Sequence, residues 1–117
     1  KIPRSSKESE ALLRSLLPEG EDVTLRPMFG NLSAFVGGNM SMGVYGDDLF
    51  LRLSEGDRAE LLKVKGAALF EPMKGRPMRE YVVVPRSWAR DTSKLKPWVK
   101  RSLEWSSGLP AKKPKQR

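Results

Sequence analysis

The sequence predicts an α+β fold of two layers, in which helices pack on one side of an antiparallel sheet of about five strands. Apolar residues recur at helical spacing near both ends of the chain, and the pattern changes to strand-like alternation between Val23 and Leu53. Turns of only two or three residues separate the strand-like runs, and connections this short join antiparallel neighbours. The predicted order of elements is α-β-β-β-β-α-β-α.

The first helix is predicted to begin after Ser5, because Ser5 and Glu8 have the spacing of a capping box. Four leucines follow at intervals that place them on one helix face, namely Leu12, Leu13, Leu16 and Leu17. The segment Pro18-Glu19-Gly20 combines residues that end helices, so the first helix is expected to stop there.

Four strand-like runs follow, at residues 23–29, 32–36, 40–45 and 49–53. Glycine with Asn or Asp separates each run from the next, a composition that suits tight turns because glycine reaches positive φ without strain. These turns are predicted at Gly30-Asn31, Gly37-Gly38-Asn39 and Gly46-Asp47-Asp48. Regular alternation in the third run predicts that Met40, Met42 and Val44 share one face of the sheet.

The second half of the chain is predicted to contain a helix, a strand and a final helix. Ser54 is the expected N-cap of a helix from Glu55 to Lys65, which Gly66 ends. The β-branched run from Tyr81 to Val84 predicts a strand. The segments between them are interpreted as an extended link at Leu69-Phe70-Glu71-Pro72 and a turn at Lys74-Gly75-Arg76-Pro77.

The final helix is predicted to begin between Lys94 and Pro97, because proline is tolerated in the first turn of a helix. Its buried stripe is expected to consist of Leu95, Trp98, Val99 and Leu103. Gly108-Leu109-Pro110 ends it. We therefore predict one domain over residues 1–110 and a basic flexible tail over residues 111–117, which lacks an apolar anchor.

The composition excludes the commonest kinds of enzyme site. The chain of 117 residues has no cysteine and no histidine, which removes thiolate nucleophiles, Cys-based zinc sites and Ser-His-Asp triads. The one adjacent pair of carboxylates, Asp47-Asp48, is attributed to turn formation. We expect no enzymatic activity, no cofactor and no metal. With no apolar run of membrane-spanning length, a cytoplasmic protein without membrane contact is expected.

The positive charge is concentrated in the last quarter of the chain. Residues 1–85 contain 12 Lys or Arg and 12 Asp or Glu, whereas residues 86–117 contain 10 and two, which is the whole net charge of +8. This distribution favours contact with an acidic partner such as nucleic acid, although a solvated helix face with a solubilising tail is the alternative. The candidate contacts are Lys94, Lys96, Lys100, Arg101, Lys112, Lys113, Lys115 and Arg117.

Two further sets of residues allow a functional or a structural interpretation. Arg26, Arg52 and Arg76 are candidates for a small anionic site, with ion pairing on the surface as the alternative. Trp88 and Trp105 are candidate anchors of a protein interface, or they close the helix layer onto the sheet. A homodimer through a sheet edge or an exposed tryptophan stays open.

Several short motifs occur in an order that resembles the N-terminal domain of the TfoX/Sxy family of competence regulators. The similarity covers about residues 8 to 110. Its residues are Arg26, Met28, Phe29, Gly30, Gly38, Asn39, Met40, Gly46, Asp48, Leu49, Arg52, Gly75, Arg76 and Met78. The resemblance implies a two-layer fold, no catalytic residues, and a regulatory or interaction module whose expected partner is another protein. The full-length regulators of this family act in transcription and DNA uptake and carry a second domain.

Overall fold

A computed structural model describes residues 4–17, 23–28, 31–73 and 75–110, apart from the side chains of Met28, Met73 and Arg76. Its elements, in chain order, are α1 (Lys7–Leu16), β1 (Val23–Met28), β2 (Asn31–Val36), β3 (Asn39–Tyr45), β4 (Asp48–Arg52), α2 (Glu55–Leu62), β5 (Ala68–Met73), β6 (Arg76–Val83), a short 3₁₀ helix (Arg86–Arg90) and α3 (Thr92–Ser107). The predicted α+β class is confirmed.

The sheet has six antiparallel strands in the order β1-β2-β3-β4-β6-β5, one more than predicted. The additional strand is β5, which the sequence suggested to be an extended link because it contains Glu71 and Pro72. Since β5 lies at the edge of the sheet, the missing N–H of Pro72 does not interrupt a central ladder. The neighbouring strand β6 begins at Arg76, so the predicted turn at residues 74–77 is shorter than expected.

The N-cap of α1 is Ser6, one residue beyond the predicted Ser5. The Ser9 backbone N–H donates to Ser6 Oγ at 3.1 Å, and the Ser6 backbone N–H donates to Ser9 Oγ at 3.0 Å. Ser5 Oγ instead donates to Glu10 Oε2 at 2.7 Å. Because α1 begins after Ser6, the buried Ser9 faces the β3–β4 turn. Its hydroxyl donates to the Gly46 carbonyl there at 3.1 Å. The predicted helix stop at residues 18–20 lies outside the described residues.

The helix side of the sheet is closed by aliphatic side chains. Leu13 of α1, Leu61 of α2 and Leu95 of α3 are fully buried there, together with Leu51 and Val82 of the sheet. The predicted stripe of α3 is confirmed at Leu95 and Val99, which are buried, while Trp98 and Leu103 are partly buried and pack against the same core.

α3 begins at Thr92, so the prediction that it starts between Lys94 and Pro97 was wrong. Pro97 is the sixth residue of the helix. Its missing N–H deprives the Ser93 carbonyl of an intrahelical partner. Both residues are exposed, so water can satisfy that carbonyl and the helix tolerates the proline. The 3₁₀ helix before α3 had no signal in the sequence analysis.

A β-bulge places Met40 on the opposite face of the sheet from Met42 and Val44, which corrects the predicted alternation. Phe35 pairs with Met40 and Ala34 pairs with Met42, so β3 contains one extra residue at this point. The extra residue is Ser41, whose hydroxyl lies 3.0 Å from Ser102 Oγ of α3. Met40 therefore packs with the aromatic residues on the side of the sheet away from the helices.

The face opposite the helices is closed by aromatic rings and by a curled hairpin. Phe70 of β5 stacks on Phe50 of β4 with ring centroids 4.1 Å apart, although β6 separates the two strands. The Tyr45 hydroxyl donates to the Pro72 carbonyl at 3.2 Å, so β5 curves across this face. The Tyr81 hydroxyl donates to the Met40 carbonyl at 3.1 Å. The aromatic cluster is thus buried without a helix above it.

Candidate functional site

α3 presents one side to the sheet and the other to solvent. Leu95 and Val99 are buried against the sheet, and the helical repeat of 3.6 residues directs the cationic residues between and beside them outward. The exposed cations of α3 are Lys94, Lys96, Lys100 and Arg101, and Arg90 is exposed in the preceding 3₁₀ helix. All four described members of the predicted basic contact set are therefore exposed on α3, where the helical repeat places Lys96 and Lys100 on one flank and Lys94 beside Arg101 on the other.

Arg101 differs from these lysines because the fold already balances its charge. Its Nη1 donates to Glu60 Oε1 at 2.8 Å and lies 3.4 Å from Asp57 Oδ1, both on α2. Its guanidinium also lies over the Trp98 ring, 4.5 Å from the centroid. The hydrogen bond to Glu60 raises the pKa of Arg101 above its ordinary value. Arg101 is therefore a fixed cation that joins α3 to α2.

Arg86 is paired in a similar way at the start of the 3₁₀ helix. Its Nε donates to Asp48 Oδ1 at 2.8 Å, which ties this segment to the β3–β4 hairpin. The hydrogen bond to Asp48 raises the pKa of Arg86. Asp48, one of the family-motif residues, thus has a structural role as an ion-pair partner.

The remaining cations form what we call the α3 basic surface, consisting of Arg90, Lys94, Lys96 and Lys100. Within the described part of the chain, none of these four lies within 4.0 Å of a carboxylate oxygen. Arg90 was not among the predicted contacts, although its position four residues before Lys94 was available in the sequence. The predicted contacts Lys112, Lys113, Lys115 and Arg117 lie outside the described residues.

Trp105 lies on the side of α3 that faces α2 and lines an open groove. The groove also contains Ser54 and Asp57 of the α2 N-terminus and Arg101 and Glu104 of α3. Trp105 is 37% exposed, a high value for an aromatic side chain of this size. Trp88 and Trp98, in contrast, are partly buried against the helix-side core.

The structure places two members of the predicted arginine set, Arg26 and Arg52, against aromatic rings of the sheet. Arg26 of β1 lies over the Phe35 ring at 4.3 Å, and Arg52 of β4 lies 5.5 Å from the Tyr81 ring centroid. Two strands separate β1 from β4. Arg52 Nε also donates to Glu80 Oε1 at 2.7 Å. The side chain of Arg76 is outside the described part.

Burial is the main influence on the pKa of Tyr81. Burial raises the pKa of the Tyr81 hydroxyl, and the nearby Arg52 guanidinium opposes that rise. Because the neutral hydroxyl donates to the Met40 carbonyl, it holds β6 against the bulge of β3. The arrangement is that of a structural anchor, since the hydroxyl donates to a backbone carbonyl of another strand.

Several other motif residues have positions that the fold explains. Gly38, Gly46 and Gly75 have φ values of 82°, 62° and 81°, which are unfavourable for residues with a Cβ. Asn39 Nδ2 donates to the Pro110 carbonyl at 2.9 Å and fastens the end of α3 to the β2–β3 turn. Leu49 is buried in the helix-side core, while Met78 packs against the aromatic cluster. Phe29 and Gly30 lie outside the described residues.

The role of Asn31 was not predicted from the sequence. The residue was assigned to a turn, but it begins β2 and is 2% exposed. Its Oδ1 accepts a hydrogen bond from the Gly46 N–H at 3.2 Å, while Ser9 binds the carbonyl of the same glycine. The tip of the β3–β4 hairpin is therefore held from two sides. An Asn at a predicted turn gave no signal of this long-range contact.

A second cleft, of about 620 Å³, opens between β5 and the β3–β4 hairpin. Leu69, Phe70 and Val83 line it, and the Asp48–Arg86 ion pair lies at its rim.

Among the described residues there is no group of three side chains of the types that bind metal ions. No helix of the described segments is long and apolar enough to cross a membrane.

The family model of the TfoX N-terminal domain matches residues 15–106, which include the six described strands, α2, and α3 except for its last residue. No curated protein matches the chain.

Proposed function

Because this chain belongs to the TfoX N-terminal domain family, we propose that it is a regulatory module without enzymatic activity that acts by binding another protein. The process in which it acts is transcription or competence regulation, as in the full-length regulators that its motifs resemble. The absence of cysteine and histidine supports a binding role, because these residues supply many nucleophiles and most bases near neutral pH.

The observation that carries the proposal is the exposed Trp105 beside Arg101 in the groove between α2 and α3. Tryptophan and arginine are enriched among the few residues that dominate the energy of protein interfaces. Arg101 is already held by Glu60 and Trp98, so little side-chain entropy remains to be lost when a partner binds. The groove therefore combines a large apolar anchor with a preordered polar group.

Affinity capture from the native cell with three baits tests this proposal. The baits are the wild-type chain, Trp105→Ala, and Leu62→Ala as a control that removes a leucine with the same 37% exposure. We expect a partner protein that the wild type and Leu62→Ala retain and that Trp105→Ala loses, with at least tenfold weaker binding for a hot-spot tryptophan.

The proposal is wrong if Trp105→Ala retains its partners as well as the wild type does. A transcript profile of cells that carry Trp105→Ala tests the regulatory part. It should match the profile of cells that lack the protein, and a profile equal to that of wild-type cells would refute the link between this groove and regulation.

A further inference from the structure

We propose that the α3 basic surface binds the phosphate backbone of duplex DNA through contacts that do not depend on base sequence. The surface consists of Arg90, Lys94, Lys96 and Lys100, as defined above. This function is separate from the protein-binding groove, because the two surfaces use different residues and each can be tested without the other.

Four cations of residues 86–110 remain without a carboxylate partner once the ion pairs of the described residues are counted. Of the six cations between residues 86 and 110, Arg86 and Arg101 are bound to carboxylates of Asp48, Asp57 and Glu60. The other four have no carboxylate within 4.0 Å among the described residues. Their charge therefore stays available for an anionic partner.

Lys94 occupies a position that disfavours a cation in a free helix. α1 and α2 carry carboxylates in their first turns, Glu8 and Glu10 in one and Glu55 and Asp57 in the other. This is the favourable arrangement, because the N-terminus of a helix is the positive end of its dipole. α3 has Asp91 as its N-cap, but it has no acidic residue in its first turn and no basic residue in its last.

Lys94 is the third residue of α3 and lies in its first turn, at the positive end of the helix dipole, whereas Lys96 is the fifth residue and lies beyond that turn. The placement of Lys94 costs stability in the free protein. The cost is offset when a phosphate group approaches, since Lys94 and the helix end then attract the same anion. The charge pattern of α3 thus favours a ligand-binding role over a stabilising one.

The α3 basic surface suits duplex DNA better than single-stranded nucleic acid. Binding of single strands usually depends on aromatic rings on which bases stack. Trp98 is covered by Arg101, Trp88 is partly buried, and Trp105 lies at the other end of α3. No exposed aromatic ring accompanies the four cations within the described chain. Duplex DNA suits such a surface because it carries one charge per about 1.7 Å of its axis.

The packing of α3 also indicates how it meets the duplex. One side of the helix is buried against the sheet, and Arg101 fastens a second side to α2. The flank that carries Lys96 and Lys100 lies away from Arg101 and is exposed. It can lie along the phosphate backbone, with Lys96 and Lys100 one helical turn and about 6 Å apart along the helix axis.

The salt dependence of binding by the full chain tests this proposal. Four phosphate contacts predict a slope of log K against log salt of about −3.6, hence a loss of roughly a hundredfold in affinity between about 50 and 200 mM salt. Further contacts from the four cations of residues 111–117 would make the slope steeper. The probe is a short duplex of mixed sequence, compared with its single strands, with RNA of the same sequence, and with anionic lipid vesicles.

The decisive comparison uses two double variants with the same change of net charge. Lys96→Ala with Lys100→Ala should reduce the size of the slope by about 1.8 and weaken binding at least tenfold at low salt. Lys63→Ala with Lys65→Ala removes two exposed lysines next to α2, and its slope should equal that of the wild type. Circular dichroism establishes that both variants are folded.

Three results would each overturn the proposal. Binding to the duplex could be absent at about 50 mM salt, or the two double variants could lose equal affinity, which would mean that net charge alone is responsible. Tighter binding to single strands, RNA or anionic vesicles than to duplex DNA would assign the surface to a different partner.

Discussion

α3 has two sides with different chemistry, and residues that belong to different sides are neighbours in the sequence. The sheet-facing side is apolar or internally hydrogen-bonded, with Leu95 and Val99 buried and Ser102 bonded to Ser41. The exposed part of the helix surface carries Lys94, Lys96 and Lys100 without carboxylate partners in the described structure. The comparison suggests that stability and binding depend on different residues of the same helix, so mutations should separate them.

The largest effect is expected from the sheet-facing side. Leu95 is fully buried, so Leu95→Ala should lower the free energy of unfolding by about 2–5 kcal/mol through lost burial and a residual cavity. Denaturant unfolding measures this. Leu62→Ala is the control, and because Leu62 is 37% exposed its loss should be much smaller. Equal losses in the two variants would show that α3 does not pack as described.

A smaller effect is expected from the serine pair beneath α3. Ser102 Oγ lies 3.0 Å from Ser41 Oγ and donates to the Ser41 carbonyl at 2.9 Å, and both residues are fully buried. Ser102→Ala leaves the Ser41 hydroxyl without this partner, so the free energy of unfolding should fall by about 1–3 kcal/mol.

The matched control for the serine pair is one helical turn away. Ser106 is also buried, but its Oγ has no hydrogen-bond partner among the described residues. Ser106→Ala removes a polar group that is already unsatisfied, so stability should be unchanged or should rise. A loss from Ser106→Ala as large as that from Ser102→Ala would contradict the assigned hydrogen bonds.

The elements that depend on neighbouring residues could be predicted from the sequence. Ser54 caps α2 as expected, because an N-cap bonds to a backbone N–H only three residues away. Gly38 and Gly46 mark turns because each needs a positive φ locally. The buried positions Leu95 and Val99 follow from helical spacing alone.

The features that the sequence did not predict depend on contacts between distant residues. The bulge at Ser41 is fixed by Ser102, which is 61 positions away. β5 contains residues that disfavour strands and forms because Phe70 can stack on Phe50 of a different hairpin. The sequence showed Arg101 as one cation of a basic segment, and only the packing of α2 against α3 reveals that Glu60 and Asp57 balance its charge.

The substitution Lys94→Glu tests the separation of stability from binding most directly, because it changes one exposed residue next to the buried Leu95. It places a carboxylate at the third helical position, where the dipole of α3 favours it, so the free energy of unfolding should rise by about 0.3–1 kcal/mol. Affinity for duplex DNA should fall at the same time, with a salt slope smaller by about 0.9. A variant that is less stable than the wild type, or that binds duplex DNA equally well, would contradict the account.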